Sequence, residues 1–220
     1  THKTWIVEKG KSLIESCNNS SFQKKNETQK IIIDTDPGID DTFAIHQAFA
    51  NKKLDVLGIT TIFGNVYVEQ ATRNALWLSE KAMYKTNIIK GASKPLVQKF
   101  KKPSSYVHGK EGFGDFTNIN PKGKPDKKSA NQYLSETIRA NSGKIILLAI
   151  GPLTNLANLL EYDKEIVNHV KKLVIMGGAV YVPGNITSYA EANFFHDPHA
   201  ANKVLGADWD IDLIPLDRSE

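Results

Sequence analysis

Four aspartates, Asp34, Asp36, Asp40 and Asp41, stand within eight residues directly behind the apolar β-branched run Ile31-Ile32-Ile33. A strand that ends in the turn Pro37-Gly38 and opens into a helix sets Asp34 and Asp36 on one side of the strand end, because side chains alternate with period 2. It then returns Asp40 and Asp41 over the same tip. Two carboxylates about 4 Å apart at an effective dielectric near 20 repel by roughly 4 kcal/mol, so a converging cluster asks for a cation. The donors nearby are all oxygens, with neither Cys nor His among them, which favours Ca²⁺ or Mg²⁺ over Zn²⁺. The plainer alternative is a turn at Asp36-Pro37-Gly38 followed by two helix-start carboxylates that complement the dipole. That alternative leaves the other two carboxylates without a role.

The elements that must hold this cluster are legible as an alternation of apolar runs and helical patterns from residue 30 onward. Strands are expected at 30–35, 54–61, 87–90, 144–150, 171–176 and 209–216, and helices at 40–51, 66–85, 129–141, 153–161, 164–169 and 198–205. That order predicts βαβ units and an α/β fold with an open, mostly parallel, doubly wound (Rossmann-like) sheet. Its ligand site is expected at the carboxyl ends of the strands. Phe63-Gly64-Asn65, Gly151 to Asn155, Gly177-Gly178 and Asp217 fall at such ends together with the Asp cluster. Between Lys94 and Lys128 the composition turns to Lys, Pro, Gly and Ser, which predicts a lid or mobile insertion.

At 220 residues and 40% hydrophobic content the chain can bury a full core and is read as one domain over 30–220 behind a polar extension at 1–29. No apolar stretch is long enough to cross a bilayer, so no membrane association is expected. The net charge of +4 comes from scattered lysines, with runs at Lys24-Lys25, Lys99 to Lys102 and Lys122 to Lys128. These are broken by Pro and Gly and lack interleaved aromatics, so they read as solvated loops and not as a nucleic-acid surface. The single Cys17 excludes an intrachain disulfide. The chain opens on Thr1, from which a lost leading segment is expected. The triplets at Asn18, Asn19 and Asn26 would be glycosylated if that segment directed secretion; a cytoplasmic protein with a polar tail is the equal alternative.

The run from Ile31 to Asp41 resembles the amino-terminal fingerprint of the inosine-uridine preferring nucleoside hydrolases, which cleave the N-glycosidic bond of ribonucleosides. Further pieces agree in order: Thr-Ile-Phe-Gly-Asn ending at Asn65, Val-His-Gly-Lys-Glu-Gly around His108, Ile-Gly-Pro-Leu-Thr-Asn-Leu-Ala around Thr154, Met176-Gly177-Gly178, Gly184-Asn185, Ala190 to Asn193, and Asp197-Pro198. The resemblance covers about 30–217. It implies Ca²⁺ held by Asp36, Asp41 and the carbonyl of Thr154, with the ribose hydroxyls completing the sphere. It implies Asp40 and Asn65 helping to hold the sugar, Met176, Asn185, Glu191 and Asn193 lining the ribose pocket, and His108 approaching the base. A metal-bound water deprotonated by Asp36 would attack the anomeric carbon while carboxylates stabilise an oxocarbenium-like sugar.

Several of these residues also have plainer readings. His108 could be an unliganded loop histidine, Thr154 and Asn155 could cap the helix that follows Gly151-Pro152, Met176 could be core, and Asn185-Ile186-Thr187 is also a glycosylation triplet. Glu191 and Asn193 would face the same way only if that stretch is extended. The family continues past the position of Glu220 into helices carrying a His-Asp pair. From this a weakened or inactive nucleoside-binding protein is one expectation, and a homo-oligomer covering apolar surface at 211–216 and 200–205 is another. Asp34-x-Asp36 also resembles a haloacid-dehalogenase-type phosphatase motif, which expects Thr or Val where Gly38 stands.

Overall fold

The computed structural model describes residues 28–100, 102–103 and 105–218. Cys17 and the triplets at Asn18 and Asn19 lie outside them, as does the rest of the polar extension before Thr28. The strands are β1 (Gln29–Thr35), β2 (Leu54–Thr61), β3 (Asn87–Lys90), β4 (Ile145–Ala149), β5 (Lys172–Met176) and β6 (Ile211–Ile214). They form one sheet in the order β3-β2-β1-β4-β5-β6, with every pairing parallel. The chain winds outward from β1 to one edge, returns, and winds outward from β4 to the other. The strand order therefore reverses between β1 and β4, where their carboxyl ends leave a crevice.

The helices are α1 (Ile39–Ala50), α2 (Val68–Lys81), α3 (Ser105–His108), α4 (Ala130–Ala140), α5 (Thr154–Tyr162), α6 (Ala192–His196) and α7 (Pro198–Leu205). Alternation in β1 sorts them onto two faces. Ile31 and Ile33 join Ile45 of α1 and Ala75 and Leu78 of α2 in one core. Ile32 joins Leu134 of α4, Leu156 of α5 and Val204 of α7 in the other. A strand covered on both faces is apolar at every position, which is why the Ile-Ile-Ile run reads as a central parallel strand.

The α/β sheet is as expected, and three local expectations change. Residues 166–169 form a 3₁₀ turn instead of an α-helix. The patch expected at 200–205 is largely covered, since Ala200, Ala201 and Val204 are buried and Leu205 alone among them is an exposed large apolar residue. The segment 94–128 is irregular, as its composition implies, but it is tied down. Leu96 N–H donates to Asp197, Gln98 to the carbonyls of Phe195 and His196, and the amides of Lys122 and Gly123 to Glu80. Among the described residues no helix is long and apolar enough to cross a membrane.

Candidate active site at the carboxyl ends of the strands

The strand ladder ends at Thr35, and this decides where each aspartate goes. Asp34 is still paired within the sheet, between Thr60 of β2 and Ala149 of β4. Its Oδ1 accepts hydrogen bonds from the Thr60 hydroxyl and, at 2.7 Å, from Asn155 Nδ2. Burial raises its pKa to about 7, against the pull of those two bonds. Asp36 lies beyond the ladder, in the turn. The expectation that all four carboxylates converge is thus corrected: Asp34 faces the α5 side, and Asp36, Asp40 and Asp41 form the cluster.

Within that cluster Asp36 is completely buried. Its Oδ2 accepts the Asn65 backbone N–H at 2.5 Å, while its Oδ1 is buried without a partner. Burial first and the neighbouring Asp41 second push its pKa well above the usual carboxylate range. Asp41 has both oxygens occupied: Oδ1 accepts from the Thr35 hydroxyl at 2.5 Å, and Oδ2 from Gly38 N–H at 3.1 Å and Asn65 Nδ2 at 3.0 Å. Burial and then the charge of Asp40 raise its pKa to about 7. Asp41 therefore both closes the start of α1 and faces the cluster, so the plain helix-start reading and the site reading coexist. Asp40 is partly exposed, with Oδ1 unpartnered and 3.6 Å from His108 Nδ1.

Asn65 ties the cluster together. Its side chain and its backbone N–H hold Asp41 and Asp36, so it fixes carboxylates. The residue before it, Gly64, has to be glycine. A Cβ there would sit well inside contact distance of Asp36 Oδ2, so only a bare backbone lets this loop reach the carboxylate. Gly151 is similar: its Cβ would lie 2.7 Å from the free Asp36 Oδ1.

Thr154 and Asn155 do not cap α5, whose N-cap is Leu153 with no side-chain bond. Instead the Thr154 hydroxyl donates to Asp197 at 2.7 Å, and Asn155 ties Asp34, the Thr61 carbonyl and the Ala92 N–H together. Asp197 also accepts from Leu96 N–H at 2.8 Å and caps α7 through Ala200 N–H at 2.9 Å. Neither Asp197 nor Asn155 was singled out as a site residue from sequence. Asp197-Pro198 figured in the resemblance without a role of its own, and its Asp-Pro order is that of a helix start, which is the place that it takes at α7.

The far wall is built by β5 and α6. Glu191 is buried and is the N-cap of α6, accepting from Asn193 N–H at 2.8 Å, Phe194 N–H at 3.1 Å and Gly178 N–H at 2.9 Å. Burial raises its pKa in spite of these donors, and Asp40 adds to the rise. Asn193 Nδ2 donates to the carbonyls of Ile150 and Met176, each at 3.1 Å, and contacts Met176 Sδ at 3.2 Å. The stretch is a cap followed by a helix and not the extended segment that the shared facing of Glu191 and Asn193 required. Asn185 stands apart, exposed in the loop before Ala190. His108 ends α3, with Nδ1 accepting Ile39 N–H at 3.4 Å, and burial lowers its pKa.

Among the described residues no group of three or more His, Cys, Asp or Glu side chains is gathered closely enough to hold a metal ion by itself. Asp36 and Asp41 nevertheless fit a hard cation that takes its remaining oxygens elsewhere. Both are buried acids with raised pKa values, and Asp36 Oδ1 is a buried acceptor lacking any donor.

A parallel sheet with 3-2-1-4-5-6 strand order and an acidic crevice at its switch point defines a doubly wound α/β protein. The chain belongs to the inosine-uridine preferring nucleoside hydrolase family, whose model matches residues 31–220. It is 42% identical to uridine nucleosidase 1 of Arabidopsis thaliana over 206 residues, 92% of this chain and 61% of that protein. It is 38% identical to the inosine-uridine preferring nucleoside hydrolase of Leishmania major over 192 residues, 86% of this chain and 60% of that protein. Among solved structures, a plant nucleoside hydrolase superposes with a TM-score of 0.83 at 38% identity, covering 86% of this chain and 60% of that one. A purine-preferring ribonucleoside hydrolase from Gardnerella vaginalis does so with 0.83 at 32%, covering 86% and 61%. The chain thus spans about three fifths of the length of these relatives. Membership sets aside the phosphatase reading of Asp34-x-Asp36.

Proposed function

We propose that the protein hydrolyses the N-glycosidic bond of ribonucleosides to ribose and free base, with Ca²⁺ as cofactor. The observation that carries this reading is the buried, unpartnered Oδ1 of Asp36 in a cluster with Asp40 and Asp41, at the switch point of a nucleoside hydrolase sheet. Asp36, Asp41 and the carbonyl of Thr154 would hold the cation. When bound, it supplies a hard Lewis acid that acidifies water and grips vicinal hydroxyls.

This chain's own groups supply the rest. Asp36, with its free Oδ1, takes the proton of the attacking water. Breaking the C–N bond leaves positive charge on the sugar, and Asp40 on one wall and Glu191 on the other place negative charge beside it. Asn65 holds the two carboxylates at fixed spacing, which supports the sugar indirectly. Met176 and Asn193 form one packed unit under the ribose, and Asn185 reaches the sugar from the exposed loop. His108 is kept neutral by burial, and because its Nδ1 accepts from Ile39, its proton sits on Nε2 as a donor for the departing base.

The test is release of base or nitrophenol from uridine, inosine and a nitrophenyl riboside by the full-length protein, with Ca²⁺ and with excess EGTA. The name of the Arabidopsis relative puts uridine first in that series. Turnover abolished by EGTA and restored by Ca²⁺ is expected. Absence of turnover on all three substrates with metal present would overturn the reading.

A further inference from the structure

Two loops from distant parts of the sequence meet at the site, and one buried side chain holds them together. Asn74 lies in α2, fully buried, and its side-chain hydrogen bonds go to Gln70, Pro37 and Glu111, none of them placed in the chemistry. Its Oδ1 accepts from Gln70 Nε2 at 2.6 Å. Its Nδ2 donates to the Pro37 carbonyl at 2.9 Å and to the Glu111 carbonyl at 2.9 Å. Pro37 follows Asp36 directly, and Glu111 lies three residues after His108. The amide thus bridges the turn that carries the carboxylates to the loop that carries the histidine.

The surroundings are built for that bridge. Gly112 stands at φ +90°, and a Cβ there would lie 2.8 Å from Asn74 Nδ2 and 2.9 Å from the Pro37 carbonyl, so the loop comes this close only as glycine. Arg73, the neighbour of Asn74, pairs with Glu111 at 3.1 Å. Phe113 packs on Trp77, one turn further along α2, with ring centroids 5.7 Å apart. Gly114 N–H donates back to the His108 carbonyl at 2.8 Å, which closes the loop on itself. At its start His108 rests on the turn: a Cβ on Gly38 would lie 2.6 Å from His108 Nδ1.

We propose that Asn74 is a positioning residue for departure of the base: it sets His108 against the Asp36–Asp40 turn and acts on turnover through His108. The inference rests on the reading of His108 as facing the base. Asparagine is the side chain that offers two donors to two carbonyls and one acceptor to Gln70 in this volume. Aspartate of the same shape would set a carboxylate oxygen against those carbonyls.

The experiment measures kcat and KM of the full-length enzyme on uridine and on a nitrophenyl riboside, in the parent, Asn74→Ala, Asn74→Asp, His108→Ala and the double variant His108→Ala/Asn74→Ala. Nitrophenolate departs without a proton, so this substrate bypasses the step that Asn74 is argued to serve and also reports that the variants are folded. Expected is a ten- to hundredfold fall in kcat on uridine for both Asn74 variants, KM within threefold, and nitrophenyl riboside turnover within threefold. In the His108→Ala background Asn74→Ala should add less than threefold. Should Asn74→Ala not fold, Asn74→Asp and Gly112→Ala press on the same bridge and carry the same expectation. Equal losses on both substrates, or a full additional loss in the double variant while His108→Ala is itself damaging, would overturn the inference and leave the His108 reading standing. His108→Ala with unchanged uridine turnover would overturn that reading and this inference with it.

Discussion

The two walls of the crevice are made differently. On the β1 side the carboxylates are clamped in place yet keep acceptors free: Asp41 has both oxygens bonded, Asn65 bridges two carboxylates, and Gly64 and Gly151 press backbone against Asp36, while Asp36 Oδ1 and Asp40 Oδ1 have no hydrogen-bond partner. On the β5 side Glu191 and Asn193 are equally fixed, but the loop between Gly178 and Ala190 is open, with Tyr181 and Tyr189 about nine-tenths exposed. A wall that holds charge at fixed spacing has to be preorganised before the substrate arrives. A wall that recognises variable parts of a ligand has less to fix in advance. On the proposed function, the contrast predicts that substitutions in the first wall act on kcat and metal affinity, and those in the open loop on KM.

The largest break in that contrast is Asp36→Asn. It keeps the shape and the bond from Asn65 but removes the proposed base, so kcat on any ribonucleoside should fall by about 10²–10⁴ with the circular dichroism spectrum unchanged. Turnover within tenfold of the parent would show that Asp36 is not the base.

Removing the cation comes next. In the metal-free protein the carboxyl groups of Asp41, raised to about 7, and of Asp36, raised well above its usual range, hold protons that the unfolded chain releases near pH 3.8. Their stabilising contribution is full below that pH and is lost as pH rises through about 7. Ca²⁺ binding must expel those protons, so affinity should fall as pH drops from 7 to 5, and calorimetry in buffers of different ionisation enthalpy should show proton release. With Ca²⁺ at a hundred times its dissociation constant the folded state gains roughly 2.7 kcal/mol, so excess EGTA at pH 7.5 should lower the melting temperature by several degrees. No shift in melting temperature, with no metal found by elemental analysis, would remove Ca²⁺ from the site.

Gly64→Ala sharpens the same wall without touching a charge. Its methyl displaces the Asp36 carboxylate, so Ca²⁺ affinity should fall at least tenfold, and the crowding should cost about 1–3 kcal/mol of stability. Calorimetric titration and thermal melting read the two effects separately.

The sheet was legible because a central parallel strand buried on both faces reads as an unbroken apolar run, as Ile31-Ile32-Ile33 of β1 does; β2, β3 and α7 also fall on their expected bounds. Asp36, Asp40 and Asp41 were legible because a fingerprint of charge beside a strand end has few uses. Asp34 was misplaced because alternation holds only while the ladder lasts, and where the ladder stops is decided by pairing with β2 and β4, not by local sequence. The 3₁₀ turn at 166–169 and the cap at Glu191 were missed for a related reason. Short elements are fixed by tertiary donors such as the Gly178 amide, which pattern alone does not announce. Asn74 gave no signal at all, since a polar residue inside an amphipathic helix reads as surface until both loops that it binds are in place.

The smallest expected effect separates Glu191 from Asn185, six residues apart on the same wall. Glu191→Gln replaces one acceptor oxygen with a donor facing backbone N–H groups, so it should cost about 1–3 kcal/mol of stability and lower kcat about tenfold. Asn185 has an exposed side chain, so Asn185→Ala should leave the melting temperature within a degree and raise KM for uridine a fewfold with kcat nearly unchanged. If Asn185→Ala instead lowers kcat as much as Glu191→Gln does, the open loop takes part in the chemical step. It would then have to close over the substrate, and the division between a preorganised and a recognising wall would fail.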